Sequence, residues 1–224
     1  MTPFPNLHMP HQMLYYNIHT HQSPSSPDEV AILNRIIREG EPSTDAPFRS
    51  YGIHPWYIED KDKQLEELQQ RLSQPETVAL GEAGLDKLVA TDMRLQQEVF
   101  YQQIELSETF QKPLIIHCVK AWPELLAAKK EFSPHIPWII HGFRGKKELA
   151  EQLIAHGFYL SFGETFQAEA LRAAWPSHAL AETDESPTGI RSIYNRIAQS
   201  LRLPIEQVAD TLAKNSRTLF PFHK

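Results

Sequence analysis

The chain reads as a distorted (β/α)8 barrel, a TIM barrel of the α/β class, built as one domain over residues 1–224. Three observations predict it. Short apolar runs alternate with amphipathic stretches, in about eight strand–helix steps. The runs lack in-out alternation, which suits strands buried on both faces of a parallel sheet. And run after run ends in a residue able to bind a metal. A length of 224 residues suits one such barrel.

The elements follow in order. The first strand, 13–19, is apolar and aromatic and closes on the pair His19-Thr20-His21. The second, 30–37, is β-branched but carries Asn34 and Arg35. The third, 48–53, leads into Gly52-Ile53-His54-Pro55. Runs 77–80, 113–117, 138–141, 158–162 and 179–181 are short and bounded by Gly, Pro or charge. Helices are predicted over 63–73, where Leu65, Leu68 and Leu72 recur at spacings of three and four, and over 92–110, 122–132, 146–156, 165–175 and 190–201. A last helix, 205–215, follows Pro204, whose missing N–H costs nothing at a helix start. The rhythm breaks early. Residues 22–29 are rich in Ser and Pro, and 38–47 are short and polar, so the helices after the first two strands are expected to be missing or shortened.

Composition narrows the function. The net charge is −6, which argues against broad binding to duplex DNA, though not against a small site for a phosphorylated end. Cys118 is the single cysteine, so no intrachain disulfide forms and a reducing cytoplasm is expected. The first twelve residues carry no basic and apolar signal-peptide pattern, and no run approaches membrane-spanning length. Nothing points to a membrane or a protein partner.

The strand ends carry the chemistry. His19 and His21 lie two apart and share one side of a strand. Glu82, His117, His141 and Asp184 each follow a separate run. Parallel strands gather all six at one face, as ligands for divalent metal, with two ions expected. Glu82 can bridge two metals through its two oxygens. Asp184 lies beside the first strand once the barrel closes, where it can bind metal and accept a proton from water. A metal-coordinated water falls in pKa from about 15.7 toward about 7. His54 faces the same mouth, either to contact a substrate phosphate or to stabilise the turn before Pro55. Lys120 and Arg144 follow His117 and His141 by three, either as contacts for an anionic substrate or as solvated charges. Trp56, Tyr57, Trp122 and Phe143 lie in the same loops, to stack on a base or wall the pocket. His8, His11, His135, His156, His178 and His223 read as bland.

At these residues the sequence resembles the TatD family of metal-dependent hydrolases. The matching segments are His19-Thr20-His21, Gly52-Ile53-His54-Pro55, Gly81-Glu82-Ala83-Gly84-Leu85-Asp86, Pro113 to His117, His141-Gly142-Phe143-Arg144-Gly145, Ser161-Phe162-Gly163 and Glu182-Thr183-Asp184. The resemblance covers nearly the whole chain, from Ile18 to about Phe220. It implies a TIM barrel with two divalent metals (Mg, Mn or Zn) acting as a deoxyribonuclease, often 3′-to-5′ on single strands. By position it places the ligands on His19, His21, Glu82, His117, His141 and Asp184. There are departures. Asn17 stands where the family usually has Asp, and Val119, followed by Lys120, where it usually has Arg. One extra residue precedes Pro187, and the segment between the first and third strands is short.

Two substrates remain open. One is a single-stranded DNA end; the other is a small ester, lactone, amide or phosphoester in the manner of amidohydrolases. The acidic charge and Val119 lean toward the second. A metal-binding protein without catalysis is the third reading, against which the intact ligand set argues.

Overall fold

Each short apolar run pairs with the next in the chain. In the computed structural model, which describes residues 13–38 and 46–222, eight strands form one sheet in sequence order, every pairing parallel. They are β1 (Tyr15–Thr20), β2 (Glu29–Ile36), β3 (Arg49–Gly52), β4 (Thr77–Asp86), β5 (Leu114–Val119), β6 (Trp138–Ile140), β7 (Phe158–Phe162) and β8 (Ala179–Ala181). The barrel closes just beyond β8. Asp184 bridges Thr20 in parallel, its N–H donating to the His19 carbonyl at 3.0 Å and its carbonyl accepting from His21 N–H at 3.3 Å. The seam of the barrel therefore runs through candidate ligands.

The helices are α1 (Lys61–Leu72), α2 (Met93–Phe110), α3 (Trp122–Phe132), α4 (Lys147–Ala155), α5 (Ala168–Ala174), α6 (Ile190–Leu201) and α7 (Ile205–Leu219). Asp60 and Asp92 cap α1 and α2 by accepting from first-turn N–H groups. Residues 21–28 join β1 to β2 through bends and turns without a helix. Between β2 and β3 the described residues are likewise non-helical; 39–45, and with them His8, His11 and His223, lie outside the described residues. No helix among the described residues is long and apolar enough to cross a membrane.

The sheet buries residues on both faces. Ile116, Ile140 and Ala181 point to the helices, among Phe100, Leu125, Leu153 and Leu212. Ile115, Ile139 and Leu180 belong to a separate cluster with Ile18 and Ile32. Each of these three precedes a polar residue of the site by two (His117, His141, Glu182), so it shares that residue's side of the strand. An apolar layer thus fills the barrel directly under the polar one. Fully burying each such side chain stabilises by roughly 1.5–3 kcal/mol.

Three boundaries differ from expectation by three residues or more. β4 runs to Asp86, not Leu80, because Gly81 interrupts the apolar run without ending the strand. α7 runs on to Leu219, past Asn215, whose amide donates to the Pro176 and Ala179 carbonyls at 2.7 and 2.9 Å. That residue ties the helix to β8 where its type suggested a stop. α5 is shorter than 165–175 because its first helical residue is Ala168.

Candidate metal centre

β4 supplies the centre of the site by bulging. Between Leu80 and Ala83 it advances three residues while β5 advances two, from Leu114 to Ile116. Two glycines permit this. Gly81 and Gly84 have φ of 147° and 149°, and a Cβ on Gly84 would lie 2.0 Å from the His117 carbonyl oxygen. A bulge re-aims a side chain, and here the one re-aimed is Glu82.

Five histidines surround that carboxylate. Oε1 lies 2.7 Å from His141 Nε2, 2.8 Å from His117 Nδ1 and 3.3 Å from His54 Nε2. Oε2 lies 3.5 Å from His19 Nε2 and 3.8 Å from His21 Nε2. Asp184 Oδ1 is 3.6 Å from Nε2 of both His19 and His21. Three overlapping triads place their ligand atoms within 4.8 Å of one another: His19, His21 and Glu82; His19, His141 and Asp184; His54, Glu82 and His117.

The donor set fits divalent metal. His19 is fully buried, yet neither ring nitrogen has a hydrogen-bond partner. A buried polar atom without a partner is costly, and a coordinated cation would satisfy it. Imidazole nitrogen with carboxylate oxygen, and no thiolate, suits zinc, manganese and related ions. Cys118 stands nearby, but burial pushes its thiol up to about 12, so it is no thiolate at neutral pH.

The charges within the cluster hold one another. Burial alone would lift the Glu82 carboxyl, but His141 and His117 outweigh it and hold it well below the usual range. Burial likewise opposes ionisation of Asp184, yet its contact with His19 brings the carboxyl down to about 2. Burial and His141 depress His19, and the Asp184 and Glu82 carboxylates overcome both, raising it to about 9. His141 is raised well above its ordinary value, against burial, by Glu82 and Glu182. His21 and His54 are lowered, first by burial.

The structure brings His19, His21, Glu82, His117, His141 and Asp184 together, and draws His54 in with them. His54 is 4% exposed; its Nδ1 accepts from Trp56 N–H at 3.1 Å, which turns Nε2 toward Glu82. It thus serves both the turn and the cluster. Lys120 and Arg144 stay exposed at the mouth, lining a cavity of about 690 Å³ with Trp56, Trp122, His117, His141 and Asp184. Of the five described non-glycine residues with positive φ, three cap helices; the others are Lys120 (55°) and Asp184 (54°), both just past strands that feed the mouth. His135, His156 and His178 lie outside the cluster, His178 stacked on Tyr159.

Three supporting residues escaped sequence reasoning. Asp86 Oδ2 lies 3.3 Å from His117 Nε2 and accepts from Trp56 Nε1–H at 2.7 Å. Glu182, fully buried, accepts from Gly142 N–H at 2.6 Å and stands 3.4 Å from His141 Nδ1. Carboxylates behind metal-binding imidazoles orient the ring. Their signal was present in Gly-Leu-Asp and Glu-Thr-Asp, but an acidic residue beside a ligand reads equally well as a solvated charge. Asn17 donates to Glu29 and Thr183 Oγ1, both at 2.8 Å, and accepts from Thr183 N–H at 3.0 Å. It locks β1 to the segment after β8 with a donor that an ionised Asp lacks.

Comparison with known proteins identifies the family and matches the fold. Residues 21–221 match the family model described as TatD related DNase. An uncharacterized metal-dependent hydrolase of Buchnera aphidicola is 32% identical over 193 residues, covering 76% of this chain and 73% of that protein. The human 3′-5′ RNA nuclease TATDN2 is 33% identical over 156 residues, covering 62% of this chain but only 20% of that protein. The crystal structure of the TatD homolog YJJV from Escherichia coli superposes with a TM-score of 0.80 at 21% identity, covering 93% of this chain and 98% of that one.

Proposed function

The chain belongs to the family of TatD-related DNases and is a metal-dependent hydrolase; from that premise we propose that it cleaves phosphodiester bonds of single-stranded DNA, removing nucleotides 3′ to 5′. The observation that carries this reading is the Glu82 carboxylate ringed by five imidazoles, two of which, His117 and His141, line a cavity edged by Lys120 and Arg144. His19, His21, Glu82, His117, His141 and Asp184 would hold two divalent ions, magnesium, manganese or zinc. When bound, such ions lower the pKa of water and neutralise phosphoryl and leaving-group charge.

The remaining work falls to the chain itself. Glu82 spans both halves of the histidine set, with Oε1 toward His54, His117 and His141 and Oε2 toward His19 and His21. Asp184 is ionised at neutral pH and only partly buried, so it is placed to accept the proton of the attacking water. The water oxygen joins phosphorus, the bond from phosphorus to the 3′ oxygen breaks, and the departing oxygen takes up a proton, leaving a 3′ hydroxyl on the shortened strand and a 5′ phosphate on the released nucleotide. Lys120 and Arg144 hold the phosphate at the mouth, and Phe143 and Trp122 wall the cavity against bulk water.

The test is degradation of labelled single-stranded DNA by metal-stripped protein refilled with Mg, Mn or Zn, alongside an RNA strand of the same sequence. Stepwise shortening from the 3′ end is expected, with Glu82→Ala and Asp184→Ala slower by about 10²- to 10³-fold or more. An intact strand with every metal sinks the DNA reading. A second reading rests on Val119: with no Arg there, few cations grip a polymer, and small esters or phosphoesters become the substrate. Metal-dependent turnover of such esters with DNA untouched would select it.

A further inference from the structure

We propose that the indole of Trp56 is a stacking platform for an unpaired base of the substrate strand, held at a fixed distance from the metal ligands by Asp86. The proposal rests on the nucleic-acid reading above and names how that substrate is gripped. Trp56 and Leu88 are the two large hydrophobic side chains left exposed among the described residues, at 52% and 65%. They are not scattered. Both are fastened to one carboxylate: Trp56 Nε1–H donates to Asp86 Oδ2 and Leu88 N–H to Asp86 Oδ1, each at 2.7 Å. Asp86 is itself pinned by Gln96, which accepts from its N–H at 2.8 Å and donates to its carbonyl at 3.0 Å.

The buried half of Trp56 packs against the site, but the residue still exposes 52% of its surface; an exposed apolar patch beside a cavity marks a binding surface. The rings around it meet the indole by edge or tilt, His54 at 5.0 Å and 89°, His117 at 5.9 Å and 80°, Tyr57 at 6.4 Å and 58°. No described ring lies parallel on its face. Trp56 also lines the same cavity as Lys120 and Arg144, so a base on the indole leaves its phosphate over the histidines and within reach of the two cations. Stacking of this kind tolerates every base, because each has a π-face.

The test is binding of fluorescein-labelled single-stranded DNA by metal-free protein in EDTA, followed by anisotropy. One strand is intact and one carries abasic residues at its 3′ end. Trp56→Ala is expected to weaken the intact strand about tenfold and to leave the abasic strand nearly unchanged, while Trp56→Phe keeps most of the affinity. If Trp56 acted only by bracing Asp86 and His117, the Ala variant would weaken both strands alike and lower manganese uptake; that result overturns the proposal. Equal affinity of wild type and variant for the intact strand, with metal-dependent hydrolysis intact, overturns the platform and leaves the nuclease standing. No binding and no hydrolysis of any strand overturns both.

Discussion

His19 is wholly buried between Glu82 and Asp184, and its proton competes directly with metal. Its pKa rises from 6.5 to about 9, and that of His141 rises well above 6.5. A group raised on folding stabilises fully below its unfolded value and loses that contribution as pH climbs through its folded one. Asp184, depressed from 3.8 to about 2, contributes above its unfolded value and loses it as pH falls through about 2. His19 and Asp184 together thus contribute most between about pH 4 and 6.5, while His21 and His54, lowered by burial, subtract from stability as pH falls below 6.5. Coordination needs neutral imidazole, so metal uptake at pH 7 expels the protons of His19 and His141, and apparent affinity climbs with pH to about 9. Titration calorimetry in buffers of different ionisation enthalpy should show about two protons released in total as the cluster fills at pH 7. A heat independent of buffer would contradict this. These candidate ligands were legible because each ends or closely follows an apolar run, where a polar residue has few structural uses. Asp86 and Glu182 were not, since only the fold shows which imidazole stands in front of each.

At the scale of the element, β4 decides the site. Gly81 reads as a strand terminator, so the sequence suggested a strand stopping at Leu80 with Glu82 beyond it. The structure keeps the pairing with β5 through Asp86 by inserting a bulge, a feature that depends on backbone conformation that residue type signals only weakly. Gly84 carries the heavier constraint. Any Cβ there meets the His117 backbone at 2.0 Å, in a conformation L residues rarely adopt. Gly84→Ala should combine backbone strain with forced separation of β4 and β5, costing about 3 kcal/mol or more. Because His117 sits on the strand being pushed away, metal affinity should fall along with the denaturation midpoint. A variant that unfolds at the wild-type urea concentration and binds manganese equally well would show that the close approach is dispensable. Most other boundaries were legible from apolar runs and caps; the continuation of α7 was not, because Asn215 acts through a tertiary contact to β8.

For the whole molecule, parallel order does what no local motif can: it gathers residues from β1, β4, β5, β6 and the segment after β8 at one end of the barrel. That much followed from the sequence, as the run pattern admits few other architectures. How tightly a polymer is gripped depends on charge over the entire surface. The chain carries −6, and the exposed cations lining the cavity beside the histidines are Lys120 and Arg144. Single-stranded binding loses affinity with salt at a logarithmic slope of about −0.7 per phosphate neutralised. Two contacts predict a slope of about −1.4 for the metal-free protein, far shallower than a basic track along many phosphates would give. Anisotropy titrations from low to moderate KCl measure it directly. Lys120→Ala or Arg144→Ala should flatten the slope by about 0.7, whereas Trp56→Ala should lower affinity without changing it, because stacking releases no counterions. A wild-type slope several times steeper would mean that the strand crosses charges beyond this mouth, and the grip would then have to be sought along the barrel's outer surface.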